Sequence, residues 1–154
     1  MDAAIAQAFN QGVEQFNNGE FYACHDTLEA LWMEADEPDR TFFQGVLQLA
    51  VGLYHLTHHN WQGAVTLLGN GISRLKRYGP EYDGTDIDHL LGWSAALLRQ
   101  LQLGGPDGIA EIAQQLATAT QANGSVAIAA DMAADGSKRP KRSPYTVHYS
   151  ALNG

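Results

Sequence analysis

Apolar residues recur at spacings of three and four from the start of the chain to about Leu103, and no stretch alternates polar and apolar residues for long. Such spacing is typical of amphipathic α-helices, because residues three and four apart lie on one helix face. The sequence therefore predicts an all-α fold, a compact bundle of about five helices made of antiparallel helical hairpins.

Turn residues divide this pattern into five helices, expected at about 2–17, 20–35, 42–59, 61–78 and 86–102. Gly19 is placed to end the first helix in the left-handed conformation. Asp39 or Thr41 is placed to cap the third, and the polar turn at Asn60 to start the fourth. Asp86 or Asp88 lies where a carboxylate favours the N-terminal end of the fifth helix dipole.

Composition changes after residue 104, and we predict a helical bundle domain at 1–104. One short extra helix, near Ile109 to Leu116, is expected within 105–123. Residues 124–154 lack periodicity and include four of the nine Lys and Arg residues, so we expect a flexible tail there. This basic run is interpreted either as a solubilising terminus or as a docking peptide for an acidic partner or membrane surface.

Charge and composition exclude several classes of function. A net charge of −8 and a pI near 5.0 argue against nucleic-acid binding, since phosphates are held mainly by Lys and Arg. The most apolar stretch, "VLQLAVGLYHL", is well short of the roughly 20 residues that span a bilayer. Cys24 is the only cysteine, which excludes an intramolecular disulfide, and we expect a reducing cytoplasm as the location.

Polar side chains interrupt two helices that otherwise have core-forming faces. In "FYACHDTLEALWMEA" (21–35), His25 lies within the apolar stripe, Glu29 follows one turn later, and Asp26 lies further toward solvent. On the third helix one stripe carries Gln44, Gln48 and His55. Since a buried polar group without a partner costs about 1–3 kcal/mol, we predict that the two helices pack around a shared buried cluster. This predicted polar cluster comprises His25, Asp26, Glu29, Gln44, Gln48 and His55.

Two longer stretches carry a family resemblance. "FNNGEFYACHDTLEALW" and "FFQGVLQLAVGLYHLTHHNWQGAVTLLGNGISRL" resemble the domain of unknown function 309 family, small helical proteins of bacteria, archaea and plant plastids. The resemblance covers about Phe16 to Leu75 and rests on "HxxLExxW" followed by "QGxxQxAxxxYH". Members often carry a Glu two positions before the first His and another just after it, where this chain has Ala23 and Asp26. The resemblance implies an all-helical bundle and no defined activity.

The predicted polar cluster has two chemical interpretations. His25, Glu29 and His55 form an adequate ligand set for zinc, iron or manganese, with positions left for water or substrate. The diagnostic spacings of metal sites, such as "HExxH", are absent. The same side chains can instead form a hydrogen-bonded network that fixes the helix register.

Three functions follow from these alternatives. The first choice is a structural or protein-interaction module, because grooves between helical hairpins can hold a basic or amphipathic peptide. A contiguous exposed aromatic patch would favour it, whereas fully buried Phe and Trp would count against it. The second is a metal-dependent enzyme of hydrolase or oxidase type. A small-ligand pocket lined by the cluster is compatible with either.

Overall fold

The computed structural model describes residues 1–123, 128–131 and 147–150, with side chains described for residues 1–119. This part of the chain contains six packed α-helices, which confirms the predicted all-α bundle. They are α1 (Ala3–Asn17), α2 (Phe21–Glu34), α3 (Asp39–Thr57), α4 (Trp61–Leu75), α5 (Ile87–Gly104) and α6 (Ile109–Asn123). None of these described helices has the length and apolar character needed to cross a bilayer.

Short strands accompany the helices. They are β1 (Glu81–Tyr82), β2 (Thr85–Asp86), β3 (Ile128–Asp131) and β4 (Val147–Ser150), in the order β1-β2-β4-β3. β1 and β2 form a tight antiparallel hairpin between α4 and α5, and β3 and β4 pair in parallel. These strands were not predicted, because two to four residues are too few to show a clear alternation of polar and apolar residues.

The N-termini of α4 and α5 follow predicted capping residues, whereas α3 begins at Asp39 after Pro38 and lacks the predicted side-chain cap from Asp39 or Thr41. The Asn60 side chain accepts a hydrogen bond from the Gly63 N–H at 3.0 Å, and Asp86 accepts one from the N–H of His89 at 3.0 Å. Gly19 has φ of 79°, the left-handed conformation expected after α1. A 3₁₀ turn (Lys76–Tyr78) extends α4, and another (Pro106–Gly108) leads into α6. These local signals account for most of the predicted boundaries.

The core is centred on α3, which packs against α2 on one side and α4 on the other. Phe42, Phe43, Leu49 and Leu53 of this helix are fully buried. The Phe9 ring of α1 lies 5.4 Å from the Phe42 ring and 5.8 Å from the Phe43 ring. Burying each such side chain stabilises the fold by roughly 1.5–3 kcal/mol, so α3 holds the bundle together.

Glycines let α3 and α4 approach closely. A Cβ added at Gly71 would lie 2.7 Å from Leu49 Cδ2 and 2.9 Å from the backbone oxygen of Gly45. A Cβ at Gly45 would lie 2.6 Å from Leu75 Cγ. All three distances are shorter than those that Cβ atoms keep from other heavy atoms, so the α3–α4 contact depends on the absence of these side chains.

The C-terminal third differs in part from the prediction. The extra helix α6 continues to Asn123, past the predicted end at Leu116, and buries Ile112, Leu116 and Ala119. β3 and β4 lie within the stretch predicted as a tail. The remainder of that stretch, with its basic residues Lys138, Arg139, Lys141 and Arg142, lies outside the described residues. The predicted tail and domain limits therefore stay predictions.

Candidate functional site

The α2 part of the predicted polar cluster lies at the surface. The His25 side chain is 26% exposed and that of Glu29 is 49% exposed, while Asp26 points to solvent. His25 Nδ1 lies 3.1 Å from Asp26 Oδ1, and His25 Nε2 lies 3.7 Å from Glu29 Oε2. The prediction that this cluster is buried is therefore wrong for α2.

The position of the core-facing side of α2 explains why His25, Asp26 and Glu29 lie at the surface. Phe21, Cys24 and Leu28 are buried and occupy the face turned to α1 and α3. His25 follows Cys24 by about 100° around the helix, which places it on the flank of that face. The two carboxylates then lie further round, where water solvates them.

The α3 part of the predicted cluster faces α4 instead of α2. Arg74 Nε donates a hydrogen bond to Gln48 Oε1 at 3.1 Å. The His55 ring lies against Gly63, and its Nδ1 is 3.2 Å from Asn60 Nδ2, which is the donor of the pair. Gln48 and His55 therefore contact α4 and the α3–α4 turn, which corrects their predicted packing against His25 and Glu29, and Gln44 is half-buried.

Metal ligands are not brought together within the described residues. In the described parts of the chain, no group of three or more His, Cys, Asp or Glu side chains is placed to hold a metal ion. His25 and Glu29 are adjacent on α2, but His55 makes its contacts at the start of α4. The predicted set of His25, Glu29 and His55 is thus not assembled as one site.

Cys24 and the histidines near the α3–α4 turn show no reactive arrangement. Cys24 is fully buried, and desolvation raises the pKa of its thiol well above the ordinary range, so the thiolate is disfavoured. His58 and His59 are exposed at the end of α3, as expected for solvated side chains near a helix C-terminus. His58 Nδ1 lies 2.9 Å from the backbone oxygen of Tyr54.

The outer side of α2 forms an exposed surface that was not predicted from the sequence. Tyr22 is 60% exposed and Met33 is 67% exposed, and with Leu103 they are the exposed large apolar residues of the described part. Tyr22, Asp26, Glu29 and Met33 are spaced by four, three and four residues, so they share one helix face. We call these four residues the α2 stripe. The spacing is present in the sequence, but spacing alone does not show which face of α2 is exposed.

Aromatic contacts join the α2 stripe to α3. The Tyr22 ring lies 5.5 Å from the ring of Tyr54, which in turn lies 4.2 Å from the imidazole of His58. On the other side the Tyr22 ring lies 5.8 Å from the His25 ring. These contacts hold the Tyr22 ring against α2 and α3 at one end of the α2 stripe, although more than half of the Tyr22 surface is exposed.

The part of the chain before Arg40 carries a strong excess of acidic side chains. Nine Asp and Glu residues precede Arg40 in the chain, and no Lys or Arg does. The first cation, Arg40, is held over the ring of Trp32 at 4.6 Å. Helices α1 and α2 contain no Lys or Arg, so the α2 stripe lies on a largely acidic surface, with the Arg40 guanidinium at Trp32 as the neighbouring positive group.

Comparisons with known proteins identify a related segment in the first half of the chain. Residues 9–67 match the family model described as "Domain of unknown function (DUF309)". The match covers 59 of the 154 residues, so this segment is similar to the DUF309 family. The family resemblance predicted from the sequence is confirmed, and the DUF309 segment includes all of α2 and α3, and hence the whole α2 stripe.

One relative extends the comparison beyond the DUF309 segment. The chain is 34% identical over 79 residues to "Uncharacterized protein YpuF" of Bacillus subtilis (strain 168). That alignment covers 50% of this chain and 45% of the relative, so the chain spans less than half of the relative's length. No solved structure matches the chain. The comparisons therefore show a likeness to DUF309 proteins within part of the chain, and they name no activity.

Proposed function

We propose that the helical bundle is a protein-interaction module that binds a basic, amphipathic segment of a partner protein on the α2 stripe. The observation that carries this proposal is the pair of exposed apolar side chains, Tyr22 and Met33, on one helix face with two carboxylates between them. Tyr22 and Met33 are eleven residues apart, about 16.5 Å along the helix axis, so they form two separate apolar anchors and not one contiguous patch.

The apolar residues of the stripe suit protein recognition. Tyrosine is enriched among the residues that dominate binding energy, because a rigid ring gives large contact area and loses little side-chain entropy. Its contact with Tyr54 fixes the ring before a partner arrives. Met33 has a flexible, polarisable side chain that adapts to different apolar partners.

The buried aromatic residues set a limit on this surface. All five Phe residues are buried, as is Trp93, and these cannot contribute to binding. The accessible patch is therefore small, and the occupant it fits is a single helix or extended segment. A segment with basic residues between two apolar anchors would place cations next to Asp26 and Glu29.

A pair of designed peptides tests the charge preference. The probe is an amphipathic peptide of Leu and Lys, and its twin replaces every Lys with Glu while keeping the apolar pattern. Fluorescence anisotropy measures the Kd of each peptide for the full chain. We expect the basic peptide to bind at least about tenfold more tightly, a difference of about 1.4 kcal/mol.

Point variants test the location. Tyr22→Ala should weaken binding of the basic peptide by about tenfold or more, the loss typical of a central aromatic residue. The matched control is Leu103→Ala, which removes an apolar side chain that is 76% exposed on α5. Equal binding of the two peptides, or equal effects of the two substitutions, would refute the proposal.

A metal-dependent enzyme of hydrolase or oxidase type stays the alternative. It rests on the 3.7 Å approach of His25 Nε2 to Glu29 Oε2, two side chains that can ligate zinc, iron or manganese. Elemental mass spectrometry of untagged protein, repeated on His25→Ala, tests it. Near-stoichiometric metal that His25→Ala abolishes would favour the enzyme, whereas equal trace amounts in both proteins would remove its basis.

A further inference from the structure

A cleft at the C-terminal end of α4 has unusual chemistry for this acidic chain. Its volume is about 510 Å³, and it is lined by Asn70, Ser73, Arg74, Lys76 and Arg77. We call these five residues the basic cleft. Every one of the five side chains can donate hydrogen bonds, and no carboxylate is among them.

The helix places these donors together. Asn70, Arg74 and Arg77 are spaced by four and three residues, so they lie along one face of α4 and the 3₁₀ turn that follows it. Ser73 borders this face and Lys76 flanks it. An amide, a hydroxyl, an ammonium and two guanidinium groups therefore surround one cleft.

The charge of the cleft is only partly offset by the protein around it, because Glu37 lies near enough for Arg77 to help lower the pKa of that carboxyl. Residues 1–123 contain five Lys and Arg residues against fifteen Asp and Glu, and three of the five lie in this cleft. Within the described part of the chain, none of Arg74, Lys76 and Arg77 lies within ion-pair distance of a carboxylate. In a chain so rich in carboxylates, this leaves a local positive potential open to an anion.

Arg74 is oriented by a neighbouring helix. Its Nε donates to Gln48 Oε1 of α3 at 3.1 Å, which fixes one edge of the guanidinium group. The terminal nitrogens remain available as a fork, the geometry that matches two oxygens of a phosphate group. Gln48 is therefore a positioning residue for Arg74, and its polarity on a central helix is explained.

The simplest competing explanation for the basic residues of the cleft is that they stabilise the C-terminal end of α4. Cations near a helix C-terminus interact favourably with its dipole by about 0.3–1 kcal/mol each. This accounts for positive charge at Arg74, Lys76 and Arg77. It does not account for the oriented guanidinium or for the donors Asn70 and Ser73 in the preceding turn.

We propose that the basic cleft binds a phosphate group, either as the free ion or as part of a small phosphate ester. Arg74 and Arg77 supply the paired N–H donors, Lys76 supplies further positive charge, and Asn70 and Ser73 complete the donor set. The site is independent of the α2 stripe, so each proposal can fail alone.

Titration with inorganic phosphate tests the proposal on the full chain. Backbone amide NMR signals are followed during addition of phosphate, and a parallel titration uses sodium chloride at matched ionic strength. We expect phosphate-specific shifts at residues 70–77 with a Kd of about 1 mM or tighter. Phenyl phosphate identifies the source: comparable or tighter binding indicates an ester, and binding of inorganic phosphate alone indicates the free ion.

Variants separate a built site from general charge. Arg74→Gln and, at an exposed position, Arg77→Gln should each weaken phosphate binding about tenfold. Arg74→Lys keeps the charge but removes the fork, and should still weaken binding by about threefold. The matched control is Arg99→Gln, the same charge change on the exposed side of α5, which should leave the Kd unchanged.

Three results would overturn the proposal. The first is equal shifts with phosphate and chloride at the same ionic strength. The second is an equal Kd for wild type, Arg74→Gln and Arg77→Gln, provided that circular dichroism shows all three folded. The third is an effect of Arg99→Gln on phosphate binding as large as that of Arg77→Gln, which would show that binding depends on net charge and not on the basic cleft.

Discussion

Gly71→Ala offers a direct test of how α3 and α4 pack. The added Cβ would lie 2.7 Å from Leu49 Cδ2 and 2.9 Å from the backbone oxygen of Gly45. Overpacking a core costs about 1–3 kcal/mol, and a clash with backbone places this case near the upper end. Alanine recovers about 1 kcal/mol through its higher helix propensity. We therefore expect a net loss of about 2 kcal/mol in the free energy of unfolding.

The matched control lies two residues away in the same helix. A Cβ at Gly69 would meet no atom within 4 Å, so Gly69→Ala should gain stability from helix propensity alone. The expected gain is about 0.5–1 kcal/mol. Identical substitutions in one helix should thus shift stability in opposite directions.

Urea unfolding followed by circular dichroism measures both variants against wild type. An unchanged denaturant slope with a shifted midpoint would show that stability alone has changed. For Gly71→Ala the loss corresponds to a fall in Tm of about 6 °C for a chain of this size. If Gly71→Ala is as stable as wild type, or if Gly69→Ala loses as much, the close α3–α4 approach is refuted.

Three further predictions rest on single side chains. Asn60→Ala removes the side-chain cap on the Gly63 N–H of α4 and should cost about 1 kcal/mol in urea unfolding; no loss would contradict the cap. Thr41 donates hydrogen bonds to the Glu37 carboxylate, one of them from Oγ1 to Oε2 at 2.6 Å, and these lower the pKa of Glu37. The Glu37 carboxylate therefore stabilises the fold above about pH 4.5, and this stability is lost as the pH falls through the lowered pKa. Glu37→Gln should therefore show a smaller loss of stability below that pH than wild type, and parallel pH profiles would contradict the bond. Cys24 should not react with a thiol reagent at pH 8 until urea unfolds the chain, because burial raises the pKa of its thiol; rapid reaction of the folded protein would contradict its burial.

Much of the fold could be predicted from the sequence because its signals are local. Helical spacing identified the first five helices, and Asn60, Asp86 and Gly19 marked ends that the structure shows in place. The β1–β2 hairpin was missed because each strand has two residues. The pairing of β3 with β4 is long-range and leaves no periodic mark on either segment.

The site was harder to predict, for reasons of geometry. A central helix has two neighbours, and periodicity alone does not say which stripe faces which neighbour. The stripe with Gln48 and His55 could have met α2 or α4, and the structure shows α4. Gly45 and Gly52, seven residues apart on α3, could have indicated which face of α3 packs against α4. Small residues on one helix face mark the side of closest helix approach.

Opposite charges make the two proposed surfaces selective for different ligands. The α2 stripe lies among acidic residues that repel a phosphate group, and the basic cleft repels a basic peptide. Each ligand is therefore directed to one surface by its sign of charge, although neither surface is deep. Salt should weaken both interactions, because exposed charges are screened over about 8–10 Å at physiological ionic strength. Salt dependence thus cannot assign a ligand to a surface, and the neutral substitutions Tyr22→Ala and Arg74→Lys, which leave net charge unchanged, are the ones that can.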